Sequence, residues 1–512
     1  MTNKRILFIT LDQWRGDCFS AAGHPIVKTP SIDRIAKRGV IFKNHFANAA
    51  PCGPSRACLY TGTYLHKNRS VANGTPLSDE FTNFAKIARG KDYEPVLFGY
   101  TDTSVDPTNL SKNDSRLFSY EGVLPGLDPV VHDPFEAGSL EWGKWLASQG
   151  IDVPSFPRDL YQPDPTFKST KARPDTFAPT QFRLEQSESA FLVEKIIEYI
   201  SRRDREDFFI HASFIRPHPP RRNPVGFHDF VDMNDVDPFL GAISKEEEAK
   251  VHPLTELALG VDFLTPKDEA DRLQKRATYY GSIAEVDLHI GTLLDFLERE
   301  GILEETYIIL TADHGDQNGD HHLFEKLGFY DESFHIPLII AGPEIQKGVQ
   351  FDEFTEAVDV LPTICEIIEE AIPKQCDGNS LLPYLEGEQF PSWWRPSAHF
   401  EWDFRSFRRR LGGPLLDIPP SYFTLTVLRG STFKLVTFSA PQDFLPPLLF
   451  NVHEDPDQIH NLITEDEKFK SIAGEMALDL MSWRMRTDDR RHANQLLTHE
   501  SGLIEEEVYA NP

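Results

Sequence analysis

Two pairs of residues, Asp12-Gln13 and Asp313-His314, each follow a short apolar run. Carboxylate oxygens, an amide oxygen and an imidazole nitrogen together suit a divalent cation of moderate hardness. A single aspartate at a strand end more often caps a helix. Two of them at the ends of two such runs favour a shared metal. A third feature is Pro51-Cys52-Gly53-Pro54-Ser55-Arg56. Cysteine is often only a small buried hydrophobe. Here proline follows it at two residues and arginine at four, the pattern read by enzymes that oxidise cysteine to formylglycine. If a helix begins at Cys52, Arg56 lies one turn further on.

The elements that must position these groups alternate along the chain. Residues 5–10, 208–211, 306–311 and 337–342 are short apolar runs that read as buried strands. Between them, Val193, Ile196, Ile197 and Ile200 share one helical face within 184–200. Val286, Ile290, Leu293, Leu294 and Leu297 do so within 285–298. This alternation predicts an α/β fold, a large mostly parallel sheet covered by helices on both faces. Functional groups of such a sheet collect at the carboxyl ends of its strands. Residues 103–180 are rich in Pro and aromatics without periodicity, and read as long functional loops. Residues 420–440 read as paired strands around Arg429-Gly430-Ser431-Thr432, followed by a helix near 466–484. The expected division is a catalytic domain over 1–390, a smaller α+β domain over 391–484 and a polar tail over 485–512.

With Ala57-Cys58-Leu59-Tyr60-Thr61-Gly62 behind it, the Cys52 motif resembles the signature of type I sulfatases, within the alkaline-phosphatase-like superfamily. More narrowly, the chain resembles the bacterial arylsulfatases and phosphonate monoester hydrolases. Other stretches carry the likeness: Leu11-Asp12-Gln13-Trp14-Arg15, Thr29-Pro30-Ser31-Ile32-Asp33-Arg34 and Arg216-Pro217-His218-Pro219-Pro220. Ala312-Asp313-His314-Gly315-Asp316, Gly319-Asp320-His321-His322-Leu323, Asp377-Gly378-Asn379-Ser380 and Asp455-Pro456 complete the set, in the family's order. The resemblance implies that Cys52 becomes formylglycine (3-oxoalanine), placed there by a formylglycine-generating enzyme. Its hydrate has one hydroxyl on a metal, which lowers that hydroxyl's pKa and makes it a nucleophile. Attack on sulfur or phosphorus gives a covalent intermediate, and loss of the second hydroxyl's proton reforms the aldehyde and expels the product. The implied metal ligands are Asp12, Gln13, Cys52, Asp313 and His314, holding Mn²⁺ or Ca²⁺. Arg56 is implied to stabilise the hydrate or the metal ligands, Lys326 and Asn73 to meet the substrate anion, and His218 to act as general acid.

Two departures bear on the substrate. Most type I sulfatases carry Gly-Lys-Trp-His where this chain has Gly99-Tyr100-Thr101-Asp102. The phosphonate hydrolases also lack that Lys and His, and Tyr100 matches theirs. Asp102 matches neither, since it replaces a neutral hydroxyl with a carboxylate. Either it points away, or it repels doubly charged monoesters. Ser55 points towards sulfatases, because phosphonate hydrolases tend to have alanine there. The expected activity is arylsulfatase-type hydrolysis of sulfate monoesters, with phosphonate monoesters and phosphodiesters as side substrates. The alternative reverses that order.

The 80 acidic and 52 basic residues leave a formal net charge of −28, which argues against nucleic-acid or anionic-membrane partners. It leaves room for a small anionic ester in a locally positive site. The N-terminal apolar run is too short for a signal peptide, and no run approaches a membrane span. Five cysteines without zinc-like spacing suggest a reduced, cytoplasmic protein. The tail lacks a core of its own and is expected to embrace a neighbour in a homodimer or homotetramer.

Overall fold

A computed structural model describes residues 4–167, 173–203, 207–407, 419–488, 495–499 and 502–505. Its centre is an eight-stranded sheet. In chain order the strands are β1 Arg5–Leu11, β2 Gly39–Phe46, the short β3 Ala49–Ala50, β4 Pro95–Gly99 and β5 Asp128–His132. Next come β6 Phe209–Phe214, β7 Thr306–Ala312, β8 Leu338–Ala341 and β9 Val349–Glu356. The spatial order is β5-β4-β6-β1-β7-β8-β2-β9. Only β8 runs against the others, being antiparallel to both β7 and β2. Alternate residues of β1 enter two different cores. Leu7, Ile9 and Leu11 pack on one face of the sheet, Ile6 and Phe8 on the other. The strand is an unbroken apolar run because both its faces are covered.

The helix Glu269–Arg299 is 31 residues long, so the apolar face read over 285–298 is only its second half. Its first half carries buried polar residues such as Arg272, Arg276 and Tyr279, which hide the period. The stretch 103–180 is not all loop. It supplies β5, which pairs in parallel with β4 at the sheet edge, and the helix Leu140–Ser148. β5 is exposed over its first three residues, which removes the apolar signal of a buried strand.

A second, five-stranded sheet has the order β13-β12-β11-β10-β3. It uses β10 Ser397–Asp403, β11 Thr424–Gly430, β12 Phe433–Phe438 and β13 Leu448–Asn451. β11 and β12 are the hairpin expected over 420–440. The edge strand β3 comes from the N-terminal part and ends two residues before Cys52. The helix Glu467–Arg486 follows, and Trp483 stacks on His399 at 4.6 Å and meets Tyr64 edge-on at 4.8 Å. Beyond it, Gln495–Thr498 pairs with Gly502–Glu505 as a hairpin. The rest of the expected arm lies outside the described residues. No helix among the described residues is long and apolar enough to cross a membrane.

Candidate active site

The sheet brings four loops to one end. Asp12 follows β1, Asp313 follows β7, Tyr100 follows β4, and His218 lies just beyond β6. β1 and β7 are neighbours, with Leu11 opposite Ala312, so the two aspartates leave the sheet side by side. All four loops start at carboxyl ends of parallel strands.

Cys52 is the first residue of the helix Cys52–Thr61, every residue of which is buried. The first-turn N–H groups of a helix lack internal partners and carry partial positive charge. Asn73 takes one of them, its Oδ1 accepting from the Gly53 N–H at 2.9 Å. The helix ends at Gly62, whose left-handed backbone (φ 65°) closes the last turn on Cys58.

Arg56 is one turn along, and its side chain is 1% exposed. It donates through one guanidinium nitrogen to Asp12 at 3.1 Å and through Nε to Asp313 at 2.9 Å. The remaining nitrogen reaches Ser213 Oγ at 2.9 Å and the Tyr100 carbonyl at 3.1 Å. Burial alone would lower its pKa; the surrounding groups, Tyr60 and Asp313 foremost, hold it above the ordinary arginine value. Arg56 therefore braces the two carboxylates. Of the two roles implied for it, this is the one the geometry provides.

One ligand atom each from Asp12, Cys52, Asp313 and His314 falls within 4.8 Å of the others, and all four residues are buried. His314 Nε2 stands 3.1 Å from Cys52 Sγ, 3.8 Å from Asp12 and 3.7 Å from Asp313. Its Nδ1 donates to the Gly315 carbonyl at 3.0 Å, which leaves the Nε2 lone pair facing the cluster. Asp12 Oδ1 is buried and has no hydrogen-bond partner among the described residues. An orphaned carboxylate oxygen beside a second carboxylate and an imidazole nitrogen is a donor set that a divalent ion fits. Tyr100 donates its hydroxyl to the other oxygen of Asp12. Gln13 joins the group with a left-handed backbone (φ 68°), its N–H donating to Asp313 at 3.1 Å. Its side-chain oxygen accepts from Lys326 Nζ at 2.7 Å, and its amide N–H groups donate to Asp316 and Glu325.

Burial pushes the Cys52 thiol well above its usual pKa; Asp12 adds to this, Lys326 opposes it, and Asp313 and Asp102 add further. Lys326 is buried, which disfavours its charge, but Cys52, Glu325, Asp12 and Asp313 hold its pKa above the ordinary lysine range. His218 Nδ1 donates to the Pro219 carbonyl at 2.7 Å, so its free nitrogen is Nε2. Burial first, and Lys326 second, lower its pKa to about 3. In this ground state the imidazole is neutral, and an anion beside Lys326 is what would favour its protonated form.

Asp102 does not point to solvent. It is 7% exposed, its backbone is left-handed (φ 48°), and its carboxylate accepts no hydrogen bond among the described residues. Burial raises its pKa to about 8, against the pull of Arg56. Ser55 spends its hydroxyl on the Asp313 carbonyl, so it anchors a loop and does not read the ester.

Some participants carry no sequence assignment. Asp316 accepts from Gln13 and Arg221, and Glu325 lies between Gln13 and Lys326. Asp320 ties Arg15 to Arg276 under the same loop. Asp316 and Asp320 stand in the motifs quoted above, and that proximity was the available signal. Arg15 and Arg276 are too far apart in the chain for any spacing to join them.

Residues 4–369 match the family model described as Sulfatase. Residues 319–486 match that of the N-sulphoglucosamine sulphohydrolase C-terminal region. The chain is 35% identical to the multifunctional alkaline phosphatase superfamily protein PehA of Trinickia caryophylli, over 98% of each chain. It is 26% identical to an arylsulfatase of Clostridium perfringens, over 90% of each. Among solved structures, the phosphonate monoester hydrolase of Agrobacterium radiobacter superposes with a TM-score of 0.90 at 35% identity. That match covers 98% of this chain and 99% of the other.

Proposed function

The chain belongs to the sulfatase family, and from that premise we propose that it hydrolyses singly charged esters of sulfur and phosphorus at Cys52. The observation that carries this is the convergence of Asp12, Cys52, Asp313 and His314 beside two buried cations, Arg56 and Lys326. Asp12, Gln13, Asp313 and His314 would hold a divalent cation, which would lower the pKa of a hydroxyl on residue 52 once Cys52 is oxidised to formylglycine and hydrated.

The chain's own residues do the rest. Arg56 donates to both Asp12 and Asp313 and so holds the two carboxylates side by side. Lys326 supplies a fixed positive charge for the transferred group, more effective for being water-excluded. The first turn of the helix Cys52–Thr61 and Asn73 border the same space. Once a substrate anion beside Lys326 favours its protonated form, His218 gives the Nε2 proton to the departing oxygen. The thiol of unmodified Cys52 is itself a poor nucleophile, because burial and three carboxylates, Asp12, Asp313 and Asp102, oppose the thiolate.

Phosphonate monoesters and phosphodiesters are the preferred substrates in this reading, with sulfate monoesters as the side activity. This reverses the order drawn from Ser55, whose hydroxyl is engaged with Asp313. Identity of 35% to a phosphonate monoester hydrolase, against 26% to an arylsulfatase, supports the reversal.

The test is mass spectrometry of the Cys52 peptide from cell-derived protein, followed by kinetics on aryl phosphonate, aryl phosphodiester and aryl sulfate with one preparation. The expected peptide carries formylglycine, and Cys52→Ser lowers kcat/KM on all three esters by at least about 10³-fold. Unmodified cysteine with undiminished activity in Cys52→Ser would overturn the nucleophile. A sulfate preference would overturn the order of substrates.

A further inference from the structure

Beside the nucleophile's pocket lies a second, larger cavity of about 550 Å³. The cavity at the catalytic residues is about 440 Å³ and is bordered by Pro51, Asn73 and Lys326. The two share Phe263 and Glu325 as walls. The larger one also takes in Pro219 and Pro220, the residues directly after His218, so it lies on the leaving-group side.

Its charge is opposite to that of the protein. Four cations, Arg158, Arg221, Arg222 and Lys275, line it against two carboxylates, Asp159 and Glu325. Three of the cations are already paired. Arg158 meets Glu136 at 3.1 Å, Lys275 meets Asp271 at 2.8 Å, and Arg221 meets Asp316. Arg222 is different. It donates from one nitrogen to the Asp175 and Ala178 carbonyls, 2.7 Å each, and makes no direct ion pair with a carboxylate among the described residues. Its remaining donors have no partner among the described residues. On the same cavity, the Thr176 hydroxyl is buried and has no partner among the described residues. Burial pulls the pKa of Arg222 below the ordinary arginine value and the nearby Asp175 only partly opposes this, so an arriving anion would stabilise the part-buried guanidinium. Phe156, Tyr161 and Phe324 give the cavity aromatic walls for the body of a ring.

We propose that the natural ester has a leaving group bearing a second oxyanion, carboxylate, sulfate or phosphate, received in this cavity by Arg222 and the Thr176 hydroxyl. The proposal rests on the hydrolase reading above, because it places the leaving group on the His218 side.

The probes are an aryl phosphonate ester whose phenol carries a carboxylate arm, and its neutral methyl ester. Wild-type protein is expected to show a KM about tenfold lower for the carboxylate, equivalent to about 1.4 kcal/mol. High salt should narrow the gap. Arg222→Met should abolish the preference. Because Arg222 also holds two loop carbonyls, Gln162→Glu is the second variant. Gln162 is an exposed lining residue, so a carboxylate there opposes the arm without disturbing those bonds, and turnover of the methyl ester is expected to stay as it was. No preference in wild type, or a preference surviving both substitutions, overturns the proposal. Calorimetry with the two free phenols keeps the test independent of turnover. Tighter binding of the carboxylated phenol supports the cavity even if neither ester is hydrolysed, which would count against the hydrolase reading alone. Equal binding overturns the cavity proposal.

Discussion

Asp102 places a carboxylate where the resemblance leads one to expect a neutral hydroxyl, and its setting gives that difference a physical meaning. The carboxylate is buried near Cys52 and Tyr100 and has no hydrogen-bond partner among the described residues. With its pKa raised to about 8, it is mostly neutral below that pH and negative above it. A doubly charged phosphate monoester would therefore meet growing repulsion as pH rises from 7 to 9, while a singly charged diester would be affected less. We expect the wild-type ratio of monoester to diester rates to fall over that range. In Asp102→Thr the ratio should be flat and about tenfold higher at pH 9. A ratio unchanged by the substitution would remove Asp102 from substrate selection. From sequence the residue was readable as an anomaly; whether it pointed inward was not, since that depends on a left-handed backbone at one position.

At the scale of elements, the site depends on how the two sheets are joined. β3 adds to β10 and delivers the chain to Cys52. Glu356, the last residue of β9, is the ionic link between the same sheets. It accepts from the His399 backbone at 2.7 Å, from His399 Nδ1 at 2.9 Å, and from the Tyr64 hydroxyl, with Arg395 at 3.9 Å. Burial by itself would raise its pKa; Arg395 and the hydrogen bonds from His399 and Tyr64 overcome that and hold it at about 2. A carboxylate with a lowered folded pKa stabilises the fold fully above its unfolded value and loses that contribution as pH falls towards the folded one. Glu356→Gln is thus expected to cost about 3 kcal/mol at pH 7. The gap to wild type should close as pH drops from about 4.5 towards 2, as read by urea unfolding across that range. Equal stability of the two proteins at pH 7 would mean that the link holds nothing together. Tyr64, Glu356 and the nearby pair Arg395 and His399 come from three distant parts of the chain, so no single motif could have announced the network.

For the molecule as a whole, assembly is the open expectation. The helix Glu467–Arg486 buries only Leu480 and Trp483, and Leu478 and Met481 are more than half exposed. We propose that the segment after Arg486 ties subunits into a dimer or tetramer. A chain ending at Arg486 should scatter light as a monomer, and the full chain at two or four times that mass. Equal masses would remove the tail from assembly. At this scale the division between sequence and structure is clear. The residues by themselves determined the reacting groups, the alternating elements and the family, because a modification motif and strand-end aspartates act through local patterns. Asp12, Asp313, His314, Cys52 and Arg56 were readable that way, and Lys326 only through the family resemblance. Only the tertiary structure decided what surrounds them. It made Arg56 a brace for both aspartates, used Ser55 on a loop carbonyl, turned Asp102 inward and left Arg222 without a direct ion pair among the described residues, in a basic cavity of an acidic protein. Those outcomes depend on contacts between residues far apart in the chain, where neither spacing nor composition carries information.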